Sequence, residues 1–188
     1  MKHTFLFFAV ALMVLASIVP ADADTFNWTV AGTGISGFGT FTTGTAWASG
    51  VYGITAMDGM FADTNNSISG AVVLDGSNTG GQETSVDGKY YYDNLYLSSG
   101  LAFDSCCGVL FDVDGGPTLT GGAEVNIAGI GGGYQLWETT PTATYLPGSS
   151  AGYAVNFTAS AVPEPTSVSL IGLGLIGLGF IRRRQRQH

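Results

Sequence analysis

Histidine is missing from the middle of this chain. The 188-residue sequence holds two, His3 and His188, both outside the span from Asp24 to Val162. Without an imidazole, that span can build neither a Ser-His-Asp or Cys-His pair nor a histidine metal site. Basic residues are almost as scarce. Lys89 is the only one in the span, against twelve acids, which leaves it at −11 while the whole chain stands at −8. Nucleic-acid binding needs several cations to neutralise phosphates, so that class of partner is excluded. Attraction to an anionic lipid surface is excluded for the same reason. The acidic balance favours solubility and attracts cations. Cysteine is limited to the adjacent pair Cys106 and Cys107. Neighbours about 3.8 Å apart at Cα cannot staple distant parts of a fold. A vicinal disulfide, free thiols and an intermolecular bond all remain open, beside the plainer reading of two small buried side chains.

The two ends differ from this acidic middle. Lys2, the apolar run Phe5 to Val19, the helix breaker Pro20 and the small residues Ala21 and Ala23 form a secretory signal peptide. Cleavage before Asp24 is the preferred reading, with cleavage after Ala21 as the alternative. The apolar run is short of the roughly 20 residues a membrane span needs. At the other end, Val162-Pro163-Glu164-Pro165 comes first, its prolines holding the chain extended. An apolar stretch with interspersed glycines follows, from Ser167 to Ile181, and then Arg182, Arg183 and Arg184. Arginines after an apolar helix stay on the cytoplasmic side. The signal peptide sends the middle of the chain to the opposite side, so the two ends agree on topology.

This tail resembles the PEP-CTERM sorting signal of Gram-negative bacteria. Pro163, Glu164 and Pro165 match its motif, Val168 to Ile181 its transmembrane helix and Arg182 to Arg184 its basic cluster. The resemblance implies recognition by an exosortase, a membrane-embedded cysteine transpeptidase. The chain would be anchored transiently, cut near the motif and passed to the cell surface or extracellular matrix. Such proteins accompany exopolysaccharide and biofilm production. The implied partners are therefore exosortase and signal peptidase as processing enzymes, the membrane before processing, and exopolysaccharide afterwards. The segment Tyr91-Tyr92-Asp93-Asn94-Leu95-Tyr96, with Gly108-Val109-Leu110-Phe111, is similar to a pattern in the bodies of some PEP-CTERM proteins. That second likeness brings no activity with it.

Three segments result: a signal peptide at 1–23, a secreted body at 24–161 and the sorting signal at 162–188. The body holds 25 glycines and 18 aromatics. So many aromatics argue against disorder despite the glycine and serine. Period-2 alternation marks strands, as in Tyr153 to Ser160 and Phe26 to Val30. Further strand candidates are Phe38 to Thr43, Val51 to Ala56, Ala71 to Leu74, Tyr90 to Leu97, Val109 to Val113, Glu124 to Ile127 and Tyr134 to Glu138. Asp58-Gly59, Asp75-Gly76, Asp87-Gly88 and Gly131 to Gly133 read as turns between them. The expected fold is all-β, a β-sandwich or jelly-roll-like body flanked by an N-terminal signal helix and a C-terminal transmembrane helix. A β-solenoid is the runner-up, without a visible repeat to support it.

Candidate chemistry in the body is sparse, and no organic cofactor is expected. Asp112 and Asp114 offer two carboxylates to calcium, a hard cation that takes oxygen ligands. The spacing is not that of an EF-hand, and a strand-ending turn explains the same residues without an ion. Tyr90, Tyr91, Tyr92 and Trp137 have rings that stack on sugars, although strand aromatics more often fill cores. No pair of the twelve acids has a spacing that singles it out for glycoside hydrolysis. The Asn-x-Ser/Thr matches at Asn27, Asn65 and Asn156 are expected to arise by chance in a bacterial exported chain. The leading expectation is a non-enzymatic, surface-sorted structural or biofilm protein. A carbohydrate-binding module is the alternative, followed by a carboxylate-based hydrolase.

Overall fold

A computed structural model describes residues 24–76, 82–85, 88–104, 106–113, 122–139, 144–145 and 148–163. The all-β expectation holds. The long strands are β1 (Thr25–Gly32), β2 (Ile35–Ala48), β3 (Val51–Asp63), β4 (Ile68–Leu74), β8 (Val109–Val113), β9 (Ala123–Ile130), β10 (Gly133–Thr139) and β11 (Tyr153–Ala161). Short strands β5 (Glu83–Thr84), β6 (Tyr91–Tyr92) and β7 (Leu95–Leu97) lie between β4 and β8. Among the described residues no helix is long and apolar enough to cross a membrane. The expected signal and transmembrane helices fall outside the described residues.

The sandwich or jelly-roll expectation is corrected. The eight long strands form one antiparallel sheet in the order β2-β1-β11-β10-β9-β8-β4-β3, and β3 pairs back with β2 to close it. The result is an up-and-down barrel in which every strand lies beside its predecessor among the eight, and β11 returns to β1. Six register pairs seal that seam, from Phe26↔Ala161 to Ala31↔Asn156. Closure removes the exposed edges that a pair of open sheets would leave.

Eight strands enclose a space that side chains can fill. Alternation sends Trp28 and Val30 of β1, Phe41 of β2, Phe61 of β3, Phe111 of β8 and Phe157 of β11 into it. Trp28 lies 6.3 Å from both Phe111 and Phe157, and Phe61 meets Phe111 edge-on at 5.8 Å. Small residues accommodate the rings: a Cβ at Gly37 would meet Val30 at 2.9 Å and Trp28 at 3.0 Å.

Asp58-Gly59 is not a turn, contrary to the sequence reading. It lies inside β3, where Gly59 pairs with Gly39 of β2. Gly59 has φ 140°, and a Cβ on either glycine would collide with the partner's backbone. The two strands therefore approach more closely here than side chains allow. The Asp58 carbonyl accepts a 3.0 Å hydrogen bond from Trp28 Nε1, satisfying the indole within the core. The turn predicted at Gly131 to Gly133 is present, with φ positive at both Gly131 and Gly132 between β9 and β10.

Two structures finish the barrel. At the end where β1 begins, the segment between β7 and β8 packs across the opening. Tyr96 of β7 meets Phe26 at a tilt, centroids 4.5 Å apart, and Phe103 of the following segment lies 4.6 Å from Phe157. Along one wall, the stretch carrying β5 and β6 covers β8 and β9, so both faces of β8 are buried. Asn94 docks this cover. Its Nδ2 donates to the Asp75 carbonyl and its Oδ1 accepts from Leu110 N, each at 2.9 Å. The predicted strand over Tyr90 to Leu97 breaks into β6 and β7 at this point, because Asn94 adopts φ 49° to make both bonds.

Candidate functional site

The cover and the wall enclose a pocket of about 140 Å³. Its floor comes from outward-facing residues of β9 and β10: Asn126, Ala128, Ile130 and Trp137. Its rim comes from Lys89, Tyr90, Tyr91, Cys106 and Tyr145. Tyr90 meets Tyr145 edge-on at 6.0 Å, and Lys89 Nζ sits 5.7 Å from the Tyr145 ring centre. Ser85 sets the rim's shape, its hydroxyl accepting from Tyr90 N at 3.0 Å and Lys89 N at 3.2 Å. Tyr90, Tyr91 and Trp137, singled out in sequence, thus share one pocket. Tyr92 points elsewhere, with its hydroxyl donating to Glu83 at 3.0 Å. Tyr145 was not foreseen, because its position depends on where the chain returns after β10.

Aromatic faces, a side-chain amide and an ammonium give this pocket the means to stack on a ring and hydrogen-bond around it. No carboxylate is among its described lining residues.

At the pocket rim, Cys106 and Cys107 are bonded to each other. This selects the vicinal disulfide among the arrangements left open in sequence; Cys106 is exposed while Cys107 is buried. Asp104 Oδ1 accepts from both cysteine N–H groups, at 3.0 and 3.1 Å. Asn126 Nδ2 donates to the Cys107 carbonyl at 2.9 Å, joining the disulfide loop to the pocket floor. Asp104 and the two sulfurs lie close enough to suggest a metal cluster, but sulfurs joined to each other are not thiolate ligands. Burial, followed by the Asp104 charge, pushes the Asp93 carboxyl up to about 7.

The acids are also arranged in ways the sequence did not reveal. Asp112 lies directly opposite Glu124 across β8 and β9. Both are buried beneath the cover, and Asp75 is near enough to raise Asp112 further after burial, to about 7. Asp114, the other expected cation ligand, lies outside the described residues. Inside the opposite barrel end, Asn66 Nδ2 reaches Asp63 at 2.8 Å, Glu138 at 3.0 Å and the Tyr153 hydroxyl at 3.2 Å. Burial and then the Asp63 hydrogen bond and charge push Glu138 up to about 8. Strand register sets the Asp112–Glu124 pair, and chain neighbours carry no signal of it.

The sorting residues leave from the seam. β11 ends at Ala161, Val162 N donates to Thr25 O at 2.8 Å, and Pro163 is exposed. Glu164, Pro165, Arg182, Arg183 and Arg184 lie outside the described residues, as do Ala21 and Ala23. Because Asp24 sits beside this exit, the segments on either side of the body attach at one end of the barrel.

No curated protein and no solved structure matches the chain. Residues 161–185 match the PEP-CTERM protein-sorting motif. The chain is therefore a PEP-CTERM motif-containing protein, exported and sorted toward the cell surface with exosortase as its processing partner.

Proposed function

We propose that this protein is a non-enzymatic component of the cell surface or extracellular matrix whose barrel holds polysaccharide. The observation that carries the reading is the convergence of Tyr90, Tyr91, Trp137 and Tyr145 in one open pocket on an exported, surface-sorted chain. Rigid aromatic rings give contact area at little entropic cost, and sugar rings present apolar faces that suit them. The lack of histidine in the body, and the absence of a carboxylate among the described lining residues, support binding over hydrolysis. This destination together with this pocket supports a role in biofilm or exopolysaccharide assembly.

A glycan array probed with the full-length protein tests the reading. Retention of a polysaccharide by wild type, lost in Trp137→Ala, is expected. No retained glycan from wild type, or equal retention by the variant, overturns the pocket assignment. Turnover of a retained glycan would instead favour the hydrolase reading.

A further inference from the structure

The acids beneath the cover point to a site independent of the aromatic pocket. β4, β8 and β9 are adjacent in the wall. Asp112 and Glu124 are direct cross-strand partners, so their side chains leave the same outer face. Val73 is the β4 partner of Asp112, which places Asp75 on that face one diagonal step away, where its N–H continues the ladder to Leu110 O at 3.1 Å. Asp75, Asp112 and Glu124 are 7%, 2% and 0% exposed. The Tyr92 ring reaches over them, with its hydroxyl near Gly76 and bonded to Glu83.

One atom marks this as more than an acidic cluster. Asp112 Oδ1 is fully buried and has no hydrogen-bond partner among the described residues. A buried carboxylate oxygen without a donor carries a heavy desolvation penalty. Carboxylates buried face to face repel one another when ionised, and a bound cation offsets both that repulsion and their desolvation.

We propose that Asp75, Asp112 and Glu124 bind a hard divalent cation of the calcium class, which locks the cover onto the barrel wall. Carboxylate oxygens are the donors such an ion prefers, and calcium tolerates the irregular geometry that three strands impose better than magnesium does. The site keeps Asp112 from the sequence reading and adds Glu124 and Asp75 across the sheet. Glycan binding is a separate property, because none of these three residues lines the aromatic pocket.

The test is thermal unfolding of the chelator-stripped full-length protein in mild detergent. Calcium at about a hundredfold excess over its Kd should raise Tm by about 5–10 °C. Sodium chloride at equal ionic strength should not. Asp112→Asn should unfold at the wild-type temperature or above without calcium and lose the calcium response. Should that variant fail to fold, terbium luminescence sensitised by Tyr92 and displaced by calcium provides the readout on wild type. The proposal is overturned if wild type neither shifts with calcium nor binds terbium, if sodium chloride reproduces the shift, or if Asp112→Asn responds fully.

Discussion

Val162 donates its backbone N–H to the carbonyl of Thr25 at 2.8 Å, joining the last residue before Pro163 to the first strand of the barrel. The sorting segment thus begins where the fold finishes. Removing Pro163 to Pro165 leaves every seam pair between β1 and β11 in place. The expected outcome is a normally folded barrel that is not processed, retained in the membrane fraction at its uncut mass. Fractionation and gel mobility measure it. Identical localisation and mobility for deletion and wild type would show that the motif does not direct sorting.

Shortening the chain before Tyr153 has a different result. It removes β11 and with it both the seam to β1 and the pairing with β10. The barrel then has two open edges and loses Val155 and Phe157 from its core. Soluble expression should collapse for a chain ending at Gly152, whereas one ending at Pro163 should keep the wild-type circular dichroism and Tm.

Asn94→Ala tests how the cover is held. The side chain satisfies Leu110 N and Asp75 O, and alanine leaves both without it in a buried place. Each unsatisfied group costs about 1–3 kcal/mol, so the expected loss for the two is about 2–6 kcal/mol in urea unfolding. A loss below about 1 kcal/mol would mean that the cover is held mainly by other contacts.

Stability should fall as pH rises through neutrality. Glu138, at about 8, and Asp93, at about 7, each have a folded pKa above the ordinary carboxyl value. Between the two values the folded chain holds protons that the unfolded chain releases, so stability is full in mild acid and is lost as pH rises. Tm should be higher at pH 5 than at pH 8, and Glu138→Gln should flatten the difference. A Tm that rises over this range, or a variant with the wild-type profile, contradicts the raised pKa of Glu138.

The close strand crossing gives a steric prediction. Gly59→Ala places a Cβ against the Phe38 carbonyl in a φ 140° conformation that alanine rarely adopts. The β2–β3 pairing must part there, disturbing the carbonyl that Trp28 bonds. We expect a destabilisation of more than about 3 kcal/mol, read by denaturant unfolding. Substitution at Gly131 in the exposed turn, where a Cβ meets nothing, should have a smaller effect.

Most strands were legible because period-2 alternation is local. Tyr153 to Ser160 and Val109 to Val113 read as strands and form them. Asp58-Gly59 misled because the same dipeptide serves a turn or a close strand contact, and only Gly39 across the sheet distinguishes the two. The barrel was read as a sandwich because alternation identifies a buried face without saying whether the last strand returns to the first. The pocket was half legible: Tyr90, Tyr91 and Trp137 stood out by type, while Tyr145 and the disulfide's place at the rim did not.

By itself, the sequence determined where this protein is sent, because a sorting signal is contiguous and is read as an extended segment followed by an apolar one and a basic one. It also determined that the body is all-β and lacks histidine chemistry. Only the tertiary structure decided that Asp112 faces Glu124 and Asp75, and that four aromatic rings meet over β9 and β10. The physical reason is register. Neighbours across a sheet are chosen by how strands slide and close on one another, and the β1–β11 seam and Asn94 hold that choice in place.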